Sequence, residues 1–148
     1  MNDEAHHVHD DASEPSPGCS KALDHPADRR DDLFLARQRG ALEAATELEA
    51  EGVSVEVIDP RTVSPLDIDT IVASVKKTGR LVIAHQAYEQ GGIGAEIVAR
   101  VQEAAFDYLD APIQRVAGKN VPIPYNEALE RAALPGKEEI IAAVKRVV

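Results

Sequence analysis

The feature that most constrains this chain is an uninterrupted apolar run, Leu81 to Ala84, near its middle. A strand that is apolar at every position has no side that suits water, so both of its faces must be covered. Strands of this kind lie inside mainly parallel sheets that have helices packed on both surfaces. The run therefore predicts an α/β protein with a central sheet.

The segments around this run alternate between strand and helix patterns, as such an architecture requires. The other strand patterns are a short apolar stretch at 33–36, an alternation at 53–58 and a short run at 113–116. The first helix pattern covers 41–51 and ends at Gly52, and the second begins at Ser64-Pro65-Leu66-Asp67 and ends at Gly79. A third runs from Gly94 to Tyr108, and a last helix begins at about Lys137. We expect a three-layer α/β/α sandwich over residues 31–148.

Residues 1–30 are expected to form a disordered leader. Val8 and Leu23 are the only bulky aliphatic residues there, so ordering the segment would bury little apolar surface. His6, His7 and His9 could bind a metal, but a flexible tail provides neither fixed geometry nor supporting contacts. Adventitious binding is therefore the preferred interpretation of these histidines.

Composition excludes several function classes. The formal net charge is −10, which argues against nucleic acid or an anionic membrane as partner, because both attract positive charge. No apolar run approaches the roughly 20 residues that a membrane-spanning helix needs. Cys19 is the only cysteine, so no disulfide can form within the chain and a cytoplasmic location fits best.

Two neighbouring features could carry chemistry. His85 follows the buried run at the carboxyl end of its strand, where open α/β sheets collect functional groups. It could transfer protons, but no nucleophile stands beside it, and a loop histidine near an interface is preferred. The Gly91-Gly92-Ile93-Gly94 turn before a helix could cradle a phosphate, although it lacks the lysine of a P-loop. A tight turn that needs glycine for positive φ or for close backbone approach is preferred.

The remaining polar residues give no catalytic constellation. Asp59 and Arg61 could bind a carboxylate, or they could form a turn held by their own ion pair. Ser64 is interpreted as a helix cap rather than a nucleophile. No cluster of cysteine and histidine residues has metal-ligand spacing within the predicted domain.

From Gly52 onward the sequence closely resembles the C-terminal, transketolase-like domain of the beta subunit of 2-oxo acid dehydrogenases of the pyruvate, branched-chain or acetoin type. The motifs occur in the family's order. They are VEVIDPRTVSPLD at 55–67, KTGRLV at 77–82, GGIGAEI at 91–97, FDYLDAPIQRV at 106–116, PIPY at 122–125, ALE at 128–130 and Leu134-Pro135. The stretch 31–40 is shorter than in the family, and 85–87 reads His-Gln-Ala where the family often has His-Glu-Ala.

The resemblance implies a role without chemistry of its own. In the family, an N-terminal beta domain holds the pyrimidine end of thiamine diphosphate, and the alpha subunit binds the diphosphate through magnesium. Neither domain is recognisable here, so the chain alone is expected to bind no cofactor and to be inactive. It would serve subunit assembly in a multienzyme complex, with the alpha subunit and a thiamine-binding beta domain as partners. The glycine turn and His85 are expected at an interface.

The resemblance also implies docking of the acyltransferase subunit-binding domain. Its basic side chains would meet Asp110 and the carboxylate of Val148, although Asp110 could equally be a turn residue before Pro112. In the family's sheet, the strand before the first helix lies between two strands that are present here. Residues 33–36 are the only candidate for that place, so the sheet is expected to be incomplete or imperfect at its N-terminal side. Two other functions remain open, a free-standing interaction module and a degenerate remnant.

Overall fold

The computed structural model describes residues 32–35 and 38–148. The predicted leader with His6, His7 and His9 lies outside these residues. The elements in chain order are β1 (Asp32–Leu35), α1 (Gln38–Ala50), β2 (Val55–Ile58), α2 (Ile68–Thr78), β3 (Leu81–Tyr88), α3 (Ile93–Ala105), a 3₁₀ helix (Phe106–Tyr108), β4 (Gln114–Gly118), α4 (Glu127–Ala133) and α5 (Lys137–Val144).

The four strands form one parallel sheet in the order β2-β1-β3-β4. In β1, Phe34 stands opposite Val57 of β2 and Val82 of β3, so this short strand is paired on both sides. The expected place of residues 33–36, between the strands at 53–58 and 81–84, is therefore confirmed. Only four residues fill it.

The two faces of the sheet are covered by different helices. Side chains of β3 alternate between the faces, as they must in a strand. Val82 and Ala84 pack with α1 and α5 around Leu48 and Val144. Leu81 and Ile83 lie in a second core with α2 and α3 around residues such as Ile71 and Val101. These two cores confirm the three-layer α/β/α sandwich.

The start of α2 differs from the prediction. Asp67, and not Ser64, caps the helix, since its side chain accepts hydrogen bonds from the Thr70 backbone N–H (3.1 Å) and hydroxyl (2.7 Å). Ser64 lies four residues before Ile68, too far from the first turn to accept from its N–H groups. The predicted stop is confirmed, because Gly79 adopts φ 75° and donates its N–H to the Val75 carbonyl.

Other differences from the sequence pattern concern β3, α3 and α4. The strand β3 continues past Ala84 to Tyr88, because β4 resumes pairing after an irregularity and sets Tyr88 opposite Gly118. The helix α3 ends at Ala105, so Tyr108 lies in the 3₁₀ helix that follows. The helix α4 was not predicted, and it buries only Ala133.

Among the described residues, no helix is both long and apolar enough to cross a bilayer.

Candidate functional site

The His85 ring packs directly against the glycine turn. A Cβ atom built on Gly94 would lie 2.4 Å from His85 Nε2, and one built on Gly92 would lie 2.2 Å from the Tyr88 carbonyl oxygen and 2.8 Å from His85 Cε1. Gly91 instead requires glycine for its backbone, which has φ 71°. The predicted close backbone approach is thus present at Gly92, where the Tyr88 carbonyl lies nearest, whereas at Gly94 the close group is the His85 side chain. His85 belongs to β3 rather than to a loop.

The electrostatic setting of His85 favours the neutral ring. Both ring nitrogens are buried, and neither has a hydrogen-bond partner among the described residues. Desolvation lowers the pKa of His85 from 6.5, and the nearby guanidinium of Arg115 lowers it further. An interaction with the Ala87 backbone opposes this shift, although its geometry falls outside that of a hydrogen bond. The ring therefore packs against the turn in its neutral form, with both nitrogens buried away from any described proton donor or acceptor.

Backbone and side-chain contacts hold β4 beside the glycine turn. Arg115 Nη1 donates to the Glu89 carbonyl at 2.9 Å, and the Glu89 N–H donates to the Gly118 carbonyl at 3.1 Å. The Gln90 N–H donates to Asn120 Oδ1 at 3.2 Å. The carboxyl edge of the sheet is therefore an ordered surface formed by the ends of β3 and β4 together.

Asp110 lies at the opposite edge of the sheet, the amino edge, where the parallel strands begin. Its N–H donates to the Gly79 carbonyl at 2.7 Å, just before β3 begins. A Cβ on Gly79 would lie 2.6 Å from Asp110 Oδ2, so the carboxylate packs against the turn that ends α2. Asp110 is nevertheless exposed and lines a groove of about 490 Å³ together with Phe106 and Ile113. It is thus an exposed turn residue.

Val148 lies at the same amino edge as Asp110. Lys145, in the last turn before Val148, pairs with Glu51 at 2.6 Å, and Glu51 precedes the start of β2. The Val148 side chain is 58% exposed. His85 and the glycine turn therefore lie together at one edge of the sheet, while Asp110 and the segment that leads to Val148 both reach the other edge.

The other sequence candidates follow β2 at the carboxyl edge of the sheet. Asp59 is half-buried after β2, while Arg61 and Ser64 are exposed in the following loop. In residues 32–35 and 38–148, no group of three His, Cys, Asp or Glu side chains is placed to hold a metal ion.

Sequence reasoning missed an exposed apolar feature near the carboxyl edge. The segment from Lys119 to Ala133 is closed at its base by the bond from the Lys119 N–H to the Ala133 carbonyl, at 2.9 Å. We call it the projecting loop. It exposes four large apolar side chains, namely Val121, Ile123, Tyr125 and Leu129. The sequence signal for this segment was the pair of prolines that flank Ile123, because proline is not tolerated in a central strand.

Comparison with known families accounts for this architecture. Residues 38–140 match the model of the transketolase C-terminal domain. The chain belongs to the transketolase C-terminal domain family. The match covers α1 through the start of α5, so it includes the glycine turn, Asp110 and the projecting loop.

Similar proteins narrow the relationship. The chain is 55% identical over 107 residues to the pyruvate dehydrogenase E1 component subunit beta of Rhizobium meliloti, covering 72% of this chain and 23% of that protein. It is 47% identical over 135 residues to the Rickettsia felis subunit of the same name, covering 90% of this chain and 41% of that protein. A solved structure titled as a split gene transketolase, inactive beta4 tetramer, superposes with a TM-score of 0.66 at 28% identity, covering 88% of this chain and 41% of that one. The chain thus corresponds to the C-terminal part of such beta subunits and spans less than half of their length.

Proposed function

We propose that this protein acts as the C-terminal-domain component of a pyruvate dehydrogenase beta subunit. In this role it supports subunit assembly and acyltransferase docking, while other chains carry out the oxidative decarboxylation. The observation that carries the proposal is about 50% identity to pyruvate dehydrogenase beta subunits over a domain that covers only 23–41% of their length. The relatives named for pyruvate favour that substrate over a branched-chain 2-oxo acid.

The described residues do not fit thiamine diphosphate with its magnesium ion. The turn that most resembles a phosphate cradle is occupied by the His85 ring, and the carboxylates are not grouped as metal ligands within the described part of the chain. We therefore assign cofactor binding to the alpha subunit and to a thiamine-binding beta domain.

Docking of the acyltransferase subunit-binding domain is assigned to the amino edge of the sheet. Asp110 and Val148 are both exposed there, so basic side chains can reach them. Pairs between charged groups are stronger than neutral hydrogen bonds, and salt weakens them when they are exposed. Because Cys19 is the only cysteine, we expect the complex to work in a reducing cytoplasm.

Reconstitution tests the assignment. The tagged chain would be co-expressed with the alpha subunit and the thiamine-binding beta domain of the same organism, then purified through its tag. Both partners should co-purify, and the assembly should reduce an artificial electron acceptor with pyruvate faster than with 3-methyl-2-oxobutanoate. The chain alone, supplied with thiamine diphosphate and Mg²⁺, should show no turnover. Capture of neither partner would contradict the proposal and would favour a free-standing interaction module.

A further inference from the structure

The projecting loop exposes apolar surface on an ordered scaffold. From Lys119 to Ala132 every residue is exposed except Pro124, which is half-buried. The Tyr125 side chain has no cover at all. Leu129 is 58% exposed on α4, which buries only Ala133. Soluble monomers seldom expose a continuous apolar patch of more than a few hundred Å², and larger patches mark interaction sites.

The loop is held in place by specific contacts rather than by apolar packing. Asn126 caps α4, since its Oδ1 accepts from the N–H groups of Ala128 (3.0 Å) and Leu129 (3.3 Å). Arg131 pairs with Glu127 along the exposed side of the helix. Polar caps and pairs thus fix the conformation, while the large apolar side chains remain available to a partner.

The position of the loop separates it from the docking edge. The bond between Gln90 and Asn120 joins the loop to the glycine turn at the carboxyl edge, where Tyr88 is 46% exposed. Asp110 and Val148 lie at the amino edge. One molecule can therefore bind an acyltransferase at one edge and a second partner at the other.

We infer that the projecting loop is the docking surface for the thiamine-binding beta domain, the part of a beta subunit that this chain does not cover, an inference that rests on the proposed function. The curated relatives extend well beyond this domain, which covers only 23–41% of their length, and that larger part must contact the domain somewhere. Permanent subunit interfaces are more apolar than transient ones. The loop, with its four exposed apolar side chains, fits a permanent subunit, whereas the accessible Asp110 at the amino edge fits a transient, charged contact.

A double variant, Tyr125→Ser with Leu129→Ser, tests the surface in the full chain co-expressed with the alpha subunit and the thiamine-binding beta domain. Capture of the thiamine-binding beta domain should fall about tenfold or more, as expected for central apolar side chains of an interface. The matched control is Phe106→Ser, because Phe106 is also exposed (63%) but lies in the amino-edge groove. The control should capture the partners as the parent does. The single variant Tyr125→Ser removes no internal packing and should show a smaller loss of capture. It keeps the inference testable if the double variant misfolds.

Three outcomes would overturn the inference in distinguishable ways. If the parent captures neither partner, the proposed function fails, and the inference that rests on it fails as well. If the parent and the double variant capture the partners equally, only the inference fails. If the parent is a dimer by sedimentation, and the double variant becomes a monomer without losing its partners, a second copy of this chain covers the loop instead.

Discussion

His85 shows how one residue can be fixed by burial without any hydrogen bond. Its ring fills the space next to Gly92 and Gly94, and both ring nitrogens are removed from water. Placing a cation there would cost free energy, because neither nitrogen has a described partner to replace its hydration. The neutral form is therefore part of the folded state.

This protonation preference predicts a pH dependence of stability. The pKa of His85 is lower in the folded chain than the ordinary value of 6.5, so the unfolded chain takes up the proton first as pH falls. Stability should be retained above pH 6.5 and should decrease as pH falls below it. We expect the free energy of unfolding in urea to drop more between pH 7.5 and 5.5 for the parent than for His85→Gln. Equal drops in the two proteins would contradict the assignment.

The tight contact at Gly94 predicts a large effect of one added methyl group. Gly94→Ala would put its Cβ 2.4 Å from His85 Nε2, and the residue is buried in α3. Overpacking of this kind costs about 1–3 kcal/mol, measurable as a lower midpoint of urea unfolding. The control is Gly40→Ala in α1, whose Cβ would meet Ile140 Cδ1 at an ordinary 3.8 Å. There we expect no loss, or a gain of about 0.5–1 kcal/mol from the helical preference of alanine.

At the scale of elements, the cap of α2 can be tested against the sequence-based alternative. Asp67→Ala removes the acceptor for Thr70, so we expect a loss of about 0.5–2 kcal/mol in the free energy of unfolding. Ser64→Ala should change stability by no more than about 0.5 kcal/mol, because Ser64 is exposed and does not cap the helix. Thermal and urea unfolding of both variants would measure the difference. A larger loss for Ser64→Ala than for Asp67→Ala would show that the cap is misassigned.

The elements predicted well from the sequence are those that bury a regular apolar pattern. The run at 81–84 and the stripe of α2 led directly to β3 and α2, since both fill the core. The helix α4 buries only Ala133, so its apolar residues fill no core. Its Asn126 cap and its exposed ion pair are features that apolar periodicity does not record. The place of β1 between β2 and β3 followed from the family resemblance, as nothing in four residues specifies which strands they join.

The candidate site was less accessible to sequence reasoning than the fold. Glycine at 92 and 94 indicated a close approach, but the identity of the approaching group depends on how β3 aims the His85 ring. Similarly, Asp110 was named as a docking residue, while its contact with Gly79 joins positions 31 residues apart. Contacts of this kind arise when strands and helices pack, so the spacing of residues along the chain gives no direct measure of them.

At the scale of the whole molecule, the sheet separates two exposed surfaces, and Asp110 lies beside the exposed Phe106 on one of them. The carboxyl edge carries the exposed aromatic and aliphatic side chains of Tyr88 and the projecting loop. The amino edge carries Asp110 and Val148, in a chain whose formal net charge is −10. A basic partner would therefore be attracted to the molecule as a whole, and the local carboxylates would determine where it docks.

This arrangement predicts how docking of the acyltransferase depends on charge. Asp110→Asn keeps the shape of the side chain and removes its charge, so binding of the subunit-binding domain should weaken by about 1–3 kcal/mol, the range for hydrogen bonds to charged groups. Asp107→Asn is the matched control, because it removes the same charge from an exposed position three residues away that does not line the groove. Calorimetry at low and high salt should show a steep salt dependence for the parent and for Asp107→Asn, and a shallower one for Asp110→Asn. Equal affinities of Asp110→Asn and the parent at low salt would exclude Asp110 from the docking surface. Equal losses in both variants would mean that only the overall charge attracts the partner.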